Sequence, residues 1–167
     1  MISKKKLLAI ILVIGYIYLI PLVKASPALT IQSHVREKNK NLIGVFVGGN
    51  HTQNNTSFTY GLEYHRIIYM PFGFSAIVEN TPNNIEHNNE TEFIGLGTLN
   101  IFKNLTFGVG PGIKYEKNEP NRMLGRLAAG YIIHFPPDIE IAPGLDLDFI
   151  ENGEKELVFG ITFGKQF

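Results

Sequence analysis

The sequence predicts an all-β chain whose strands meander up and down and close on themselves, and three observations carry that prediction. Eight segments of strand length follow residue 41, their apolar residues recur with a period of two, and the polar connectors between them alternate in length. A period of two puts successive side chains on opposite faces of a strand, and here one face is large and apolar while the other is small or polar. Strands of about 9–11 residues cross a bilayer when tilted, and an even number of them closes with no free edge. The expected fold is an eight-stranded antiparallel up-and-down transmembrane β-barrel.

The chain opens with Lys4, Lys5 and Lys6, continues with an apolar run of 17 residues from Leu7 to Val23, and then shows Ala25, Ser26, Pro27 and Ala28. A basic start, an apolar centre and small residues behind it form the layout of a cleavable secretory signal. Residues 1–25 are read as that signal, with cleavage after Ala28 as the alternative. The run exceeds the usual signal core of about 7–15 residues, so an uncleaved anchor is the competing reading. Cleavage after Ala25 removes Lys4, Lys5, Lys6 and Lys24 and leaves 142 residues with 11 basic against 15 acidic, a net charge of −4. That length suits one domain, and that balance offers nothing to nucleic acid. The chain has no cysteine, which excludes a disulfide framework and a thiolate metal site.

Residues 26–41 are polar without an apolar period and read as a periplasmic lead-in, and residues 42–167 form the barrel. The strands are expected over 42–49, 57–67, 72–80, 92–102, 105–116, 123–135, 139–150 and 157–167. In the second, Phe58, Tyr60, Leu62 and Tyr64 oppose Thr59, Gly61, Glu63 and His65. In the fifth, Leu105, Phe107, Val109, Pro111, Ile113 and Tyr115 oppose Thr106, three glycines, Lys114 and Glu116. The seventh sets Ile139, Ile141, Pro143, Leu145, Leu147 and Phe149 against Glu140, Ala142, Gly144, Asp146 and Asp148. In the eighth, Phe159, Ile161, Phe163 and the terminal Phe167 share one face. The first and fourth are ambiguous, because Ile94 and Leu96 compete with Phe93 and Leu99 for the outer face.

The connectors at 50–56, 81–91, 117–122 and 151–156 are long and polar, and those at 68–71, 103–104 and 136–138 are brief. Strict alternation of this kind suits external loops at one end and periplasmic turns at the other, with both termini periplasmic. Aromatic residues gather toward strand ends, among them Phe58, Phe72, Phe74, Phe102, Tyr115, Phe135, Phe149 and Phe167, where amphipathic rings would meet the two lipid interfaces.

Together these residues resemble the small eight-stranded outer-membrane barrels of the OmpX and OmpA-transmembrane group, over about 42–167. The resemblance rests on patterning and the terminal Phe rather than on a motif. It departs at Lys165, where such proteins usually place an apolar or aromatic residue, although a long lysine can snorkel. It implies location in the outer membrane, contact with lipid, and recognition of the C-terminal strand by the barrel-assembly machinery. The implied role is structural or surface interaction, with an extracellular partner met through loops 50–56, 81–91, 117–122 and 151–156.

Eight strands enclose a lumen just wide enough for side chains, so a closed, filled interior is expected rather than an open pore. The inward charges fall into two layers: Glu63, His65, His134 and Glu140 near the periplasmic end, then Glu79, Lys114, Glu116, Arg126, Asp146 and Asp148 toward the outside. Such groups must pair or be hydrated in a low-dielectric wall, so they are read as a structural plug. Asp146 and Asp148, two apart on one face, raise a cation site as the sharper alternative, but no metal or cofactor is assigned.

Glu63, His65 and Ser75 have the residue types of an orienter, a base and a nucleophile. They are expected at the periplasmic end inside the wall, away from the outer leaflet where lipid A is modified. The His-x-Ser signature of the lipid A deacylases is also lacking, since Phe135 and Pro136 follow His134. No catalytic residue is assigned and the chain is read as a non-enzyme. Gly95, Gly97, Gly108, Gly110 and Gly112 precede no helical period, which excludes a dinucleotide loop, and are read as room for bulky neighbours. His34, His51 and His87 are too scattered for a metal site. Two further functions compete: a soluble periplasmic lipocalin-like barrel holding a small apolar ligand with its faces reversed, and a lipid-modifying outer-membrane enzyme.

Overall fold

The computed structural model describes residues 41–52, 55–82, 89–101, 104–117 and 119–167. The expected signal over 1–25 and the lead-in as far as residue 40 lie outside the described residues, as do His34, His87 and Phe102.

The strands are β1 (Asn41–Thr52), β2 (Asn55–Tyr69), β3 (Phe72–Thr81), β4 (Glu90–Ile101), β5 (Leu105–Glu116), β6 (Arg122–Tyr131), β7 (Ile133–Phe135), β8 (Ile139–Ile150) and β9 (Lys155–Gln166). From β1 to β6 each pairs antiparallel with the next, β6 and β7 both pair with β8, and β9 bridges β8 back to β1. The result is a closed antiparallel barrel of eight staves, the sixth being β6 and β7 in series. The interruption falls at Ile132, whose amide donates to the Asn104 carbonyl at 2.6 Å while the Asn104 side chain donates to the Ile132 carbonyl at 2.6 Å. These bonds extend by one residue the β5–β6 register in which Leu105 faces Tyr131.

Closure makes the alternation visible as inside and outside. Leu62, Val109 and Leu145 point outward with 58%, 60% and 51% of their surface exposed, and large exposed apolar side chains occur on every strand. Phe159, Ile161, Phe163 and Phe167 are among them. The two ambiguous strands are settled: Ile94 and Leu96 are buried at 4% exposure while Phe93 faces outward, and Leu42 and Phe46 are inside while Ile43, Val45 and Val47 are outside. Among the described residues Ile77, Ile94, Leu96, Leu124 and Ile150 form an apolar cluster in the interior, and Leu42, Phe46 and Val158 are buried beside them.

The seam between β1 and β9 depends on backbone proximity. Gly48 stands opposite Gly160, and a Cβ on Gly48 would come 2.7 Å from the Phe46 ring and 2.8 Å from the Gly160 Cα. Gly108 and Gly112 likewise make room for inward Leu96, Ile94 and Leu124, but Gly95 has nothing within 4 Å of a hypothetical Cβ, so packing does not account for it.

The loop boundaries need correction. Thr52 pairs with Asn55, β4 begins at Glu90, Arg122 opens β6, and Lys155 and Glu156 belong to β9. Two residues separate β1 from β2, as two separate β2 from β3, so the strict alternation of connector lengths fails at the first join. The cause is the wet inner face: Asn and Glu side chains can continue a strand there by facing the lumen, so polarity does not mark where pairing ends.

Candidate functional site in the barrel lumen

The inward polar residues assemble from cross-strand neighbours. Arg126 stands opposite Asp148, and its Nε and Nη2 meet the two carboxylate oxygens at 2.7 and 2.6 Å in a bidentate pair with both side chains fully buried. The same guanidinium reaches Glu79 at 2.9 Å, Glu92 at 3.0 Å and Asp146 at 3.4 Å. Its planar fork of five donors suits this multiple recognition.

Lys114 stands opposite Glu92 and places its ammonium 2.6 Å from Glu156, 2.7 Å from Glu90 and 3.5 Å from Glu92, with Glu116 at 4.0 Å. Asn50 donates to the other oxygen of Glu156 at 2.7 Å. Asp148 and Glu156 are direct partners across β8 and β9, and like charges so placed repel unless cations stand between. Arg126 and Lys114 supply those cations. Toward the rim opposite the Asn41 and Phe167 ends, Arg122 pairs with Glu116, and with Glu154 at 3.0 Å and Glu119 at 3.5 Å.

At the other end, Ser75 donates to Glu63 at 3.1 Å and meets His65 Nδ1 at 2.9 Å, and Thr162 donates to the second Glu63 oxygen at 3.3 Å. His134 pairs with Glu140 at 2.6 Å, and Gln166 also donates to Glu140. Glu63, His65 and Ser75 do converge, yet in an order unlike that of a nucleophilic triad. There the acid holds the base, whereas here the serine lies between them and gives its proton to the acid.

The ten residues expected in the lumen, Glu63, His65, Glu79, Lys114, Glu116, Arg126, His134, Glu140, Asp146 and Asp148, all lie on the inner face. Asp146 and Asp148 share Arg126 rather than forming a pair of their own. Among the described residues, the carboxylates that come close enough to resemble a metal ligand set are Glu90, Glu92 and Glu156, whose oxygens lie within 4.8 Å of one another, and the Lys114 ammonium stands against all three. These three, with Asn50 and Arg122, escaped the sequence reading. Glu92 shares the parity of Ile94 and Leu96, so assigning that strand's faces correctly would have found it, whereas Glu90 also required the strand to begin two residues earlier than expected.

No protein-family model matches the chain, and no curated protein matches its sequence. Solved structures match in shape. The crystal structure of Neisserial surface protein A, NspA, has a TM-score of 0.60 at 5% identity, covering 76% of this chain and 96% of that one. The N-terminal β-barrel domain of Pseudomonas aeruginosa OprF has a TM-score of 0.56 at 12% identity, covering 78% and 100%. The chain has the fold of the small eight-stranded outer-membrane β-barrels. The attachment invasion locus protein Ail of Yersinia pestis, crystallised with the heparin analogue sucrose octasulfate, also resembles this outer-membrane-type barrel, with a TM-score of 0.54 at 12% identity over 77% and 97%. At such identities the likeness concerns fold, and function must be argued from the site.

Proposed function

We propose that the chain is an outer-membrane protein with a structural or surface-interaction role, exported by a cleavable signal over residues 1–25 and sealed internally by its own ion-pair network. One observation carries this proposal: among the described residues, every carboxylate within a strand faces the lumen, while the outer face is apolar. Glu63, Glu79, Glu90, Glu92, Glu116, Glu140, Asp146, Asp148 and Glu156 are all inward, and the lysines and arginines of the strands that face outward, Arg66, Lys155 and Lys165, lie toward strand ends. Basic side chains there can snorkel to lipid headgroups, whereas acids on the lipid face would oppose an anionic surface.

A soluble barrel of the lipocalin kind would turn this arrangement inside out. Its large apolar side chains would line the lumen, and the wall seen here would expose far more contiguous apolar surface than the few hundred Å² usual for soluble monomers. The Arg126 and Lys114 clusters span the lumen in place of a pore. The described external rim carries Glu116, Glu119, Glu151 and Glu154, with Arg122 committed to three of them, so a polyanion such as the one bound to Ail fits this rim poorly. A partner met there carries complementary positive charge.

The test is cell fractionation followed by electrophoresis with and without boiling. An outer-membrane band that changes mobility on heating supports the proposal. A soluble band without a shift refutes it.

A further inference from the structure

Large apolar side chains do not cover the outer wall evenly. Around Ala76 on β3 and Gly95 on β4, direct partners in the register, the wall is hollowed into an open groove of about 450 Å³ bordered by Leu62, Tyr64, Val78 and Phe93. We infer that this groove binds one anionic phospholipid, with an acyl chain lying over Ala76 and Gly95 and the phosphate held by Arg66. This rests on the membrane location proposed above, and the two can fail separately.

Shape is the first reason. Gly95 is exposed on the outer face, and a Cβ built on it would meet nothing within 4 Å, so no neighbour in the wall requires a glycine there. Its missing side chain deepens the groove. Gly97, two residues along the same face and opposite Phe74, would meet only the Val109 carbonyl at 3.8 Å, so the hollow continues toward the end of the barrel that carries Asn41 and Phe167. Val78 and Phe74, on either side of Ala76, stand four residues apart on β3, about 13 Å along the strand. Once their own side chains are allowed for, that width takes one alkyl chain and excludes a helix of about 10–12 Å diameter.

Charge is the second reason and is independent of shape. Arg66 follows Tyr64 on the outer face of β2, stands opposite Phe74 and makes no ion pair among the described residues, whereas Lys114, Arg122 and Arg126 are each held by several acids. Its charge is left for a partner outside the chain. Lys165 also faces outward, in the row of cross-strand partners that runs through Ile43, Tyr64 and Ala76 to Gly95. Two cations thus border the groove on a face that carries no strand carboxylate. Tyr64 and Tyr69 bracket Arg66 along β2, and tyrosine rings sit at lipid interfaces, which puts the guanidinium at headgroup depth. A guanidinium fork matches a phosphate, and a basic residue at a membrane surface favours anionic lipid by about fivefold.

Phosphatidylglycerol and phosphatidylcholine with the same acyl chains differ in net charge, which makes the test direct. The full chain, folded in micelles of a zwitterionic detergent, is titrated with each lipid, and bound lipid is counted by native mass spectrometry. One phosphatidylglycerol should be retained per barrel, at least about fivefold more tightly than phosphatidylcholine, and Arg66→Gln should cut that preference about fivefold. Gly95→Leu should abolish retention by filling the groove. Gly125→Leu is the control and should leave retention unchanged, since Gly125 is also exposed with nothing within 4 Å of a Cβ but lies on β6, outside the groove. The heat-induced gel shift confirms that each variant folds, and if Gly95→Leu does not, Ala76→Leu takes its place. Lipid that does not saturate at one per barrel, equal retention of the two lipids, an unchanged preference in Arg66→Gln, or equal effects of Gly95→Leu and Gly125→Leu overturns the inference and leaves the membrane barrel standing. A dimer lost only in Gly95→Leu gives the groove to a second copy and overturns it as well. A folded chain that stays soluble without detergent overturns both readings.

Discussion

Replacing Arg126 by methionine removes the one group that four buried carboxylates share. Methionine approximates the length of the side chain and leaves little void, so the loss is electrostatic rather than a cavity effect. Arg126 holds Asp148 at 2.6 Å, Glu79 at 2.9 Å, Glu92 at 3.0 Å and Asp146 at 3.4 Å. Breaking a buried pair by removing one partner costs about 3–5 kcal/mol, because the other charge stays buried without compensation. With four acids left rather than one, the upper end of that range is expected. Asp146→Asn provides the internal comparison: its side chain is 18% exposed at the longest of the four contacts, so the expected loss is about 1 kcal/mol or less. The assay is urea unfolding in micelles followed by circular dichroism, since the chain has no tryptophan to report by fluorescence. A loss for Arg126→Met below about 1 kcal/mol, or no difference from Asp146→Asn, would refute the claim that Arg126 holds the network together.

Leu145 faces outward in mid-strand, so Leu145→Arg should destabilise the barrel by about 2–4 kcal/mol in a bilayer, measured by urea unfolding from lipid vesicles. Gly48→Val should prevent closure of the β1 to β9 seam, seen as loss of the heat-modifiable band, because the side chain would enter the space of Gly160 and the Phe46 ring. At the rim that carries Arg122, two acids beside it should titrate in opposite directions in carboxyl NMR. The Asn152 hydrogen bond, with Arg122, holds Glu154 below the ordinary carboxylate range, and sharing a hydrogen bond with Glu116 lifts Glu119 above it. Glu154 therefore adds stability that is present above its unfolded value and lost as pH falls through its folded value, Glu119 behaves in the reverse sense, and Asn152→Ala should raise the Glu154 midpoint.

Alternation alone identifies the outer face wherever the inner face is small or charged. β5 shows this, with Phe107, Val109, Ile113 and Tyr115 set against glycines, Lys114 and Glu116. It fails in β4, where Ile94 and Leu96 are as apolar as Phe93 yet lie inside, because one part of the lumen is dry enough to hold an apolar cluster. That local failure hides Glu92, and treating polar strand ends as loops hides Asn50, Glu90, Arg122 and Glu156. The Arg126 and Lys114 clusters are predictable as a layer but not as partners. Which acid meets which base depends on the register across strands, and a single chain's pattern does not contain that.

The central claim is that the apolar face meets lipid and the acidic face does not. The chain has no cysteine, so single nitroxide labels can be placed cleanly at Leu62→Cys, Val109→Cys and Leu145→Cys on the outer face and at Asn152→Cys in the turn between β8 and β9. In lipid bilayers the three wall labels should collide with oxygen far more than with a water-soluble nickel chelate, and the turn label should show the reverse. Wall labels open to the aqueous chelate would place that face in water and contradict the membrane barrel.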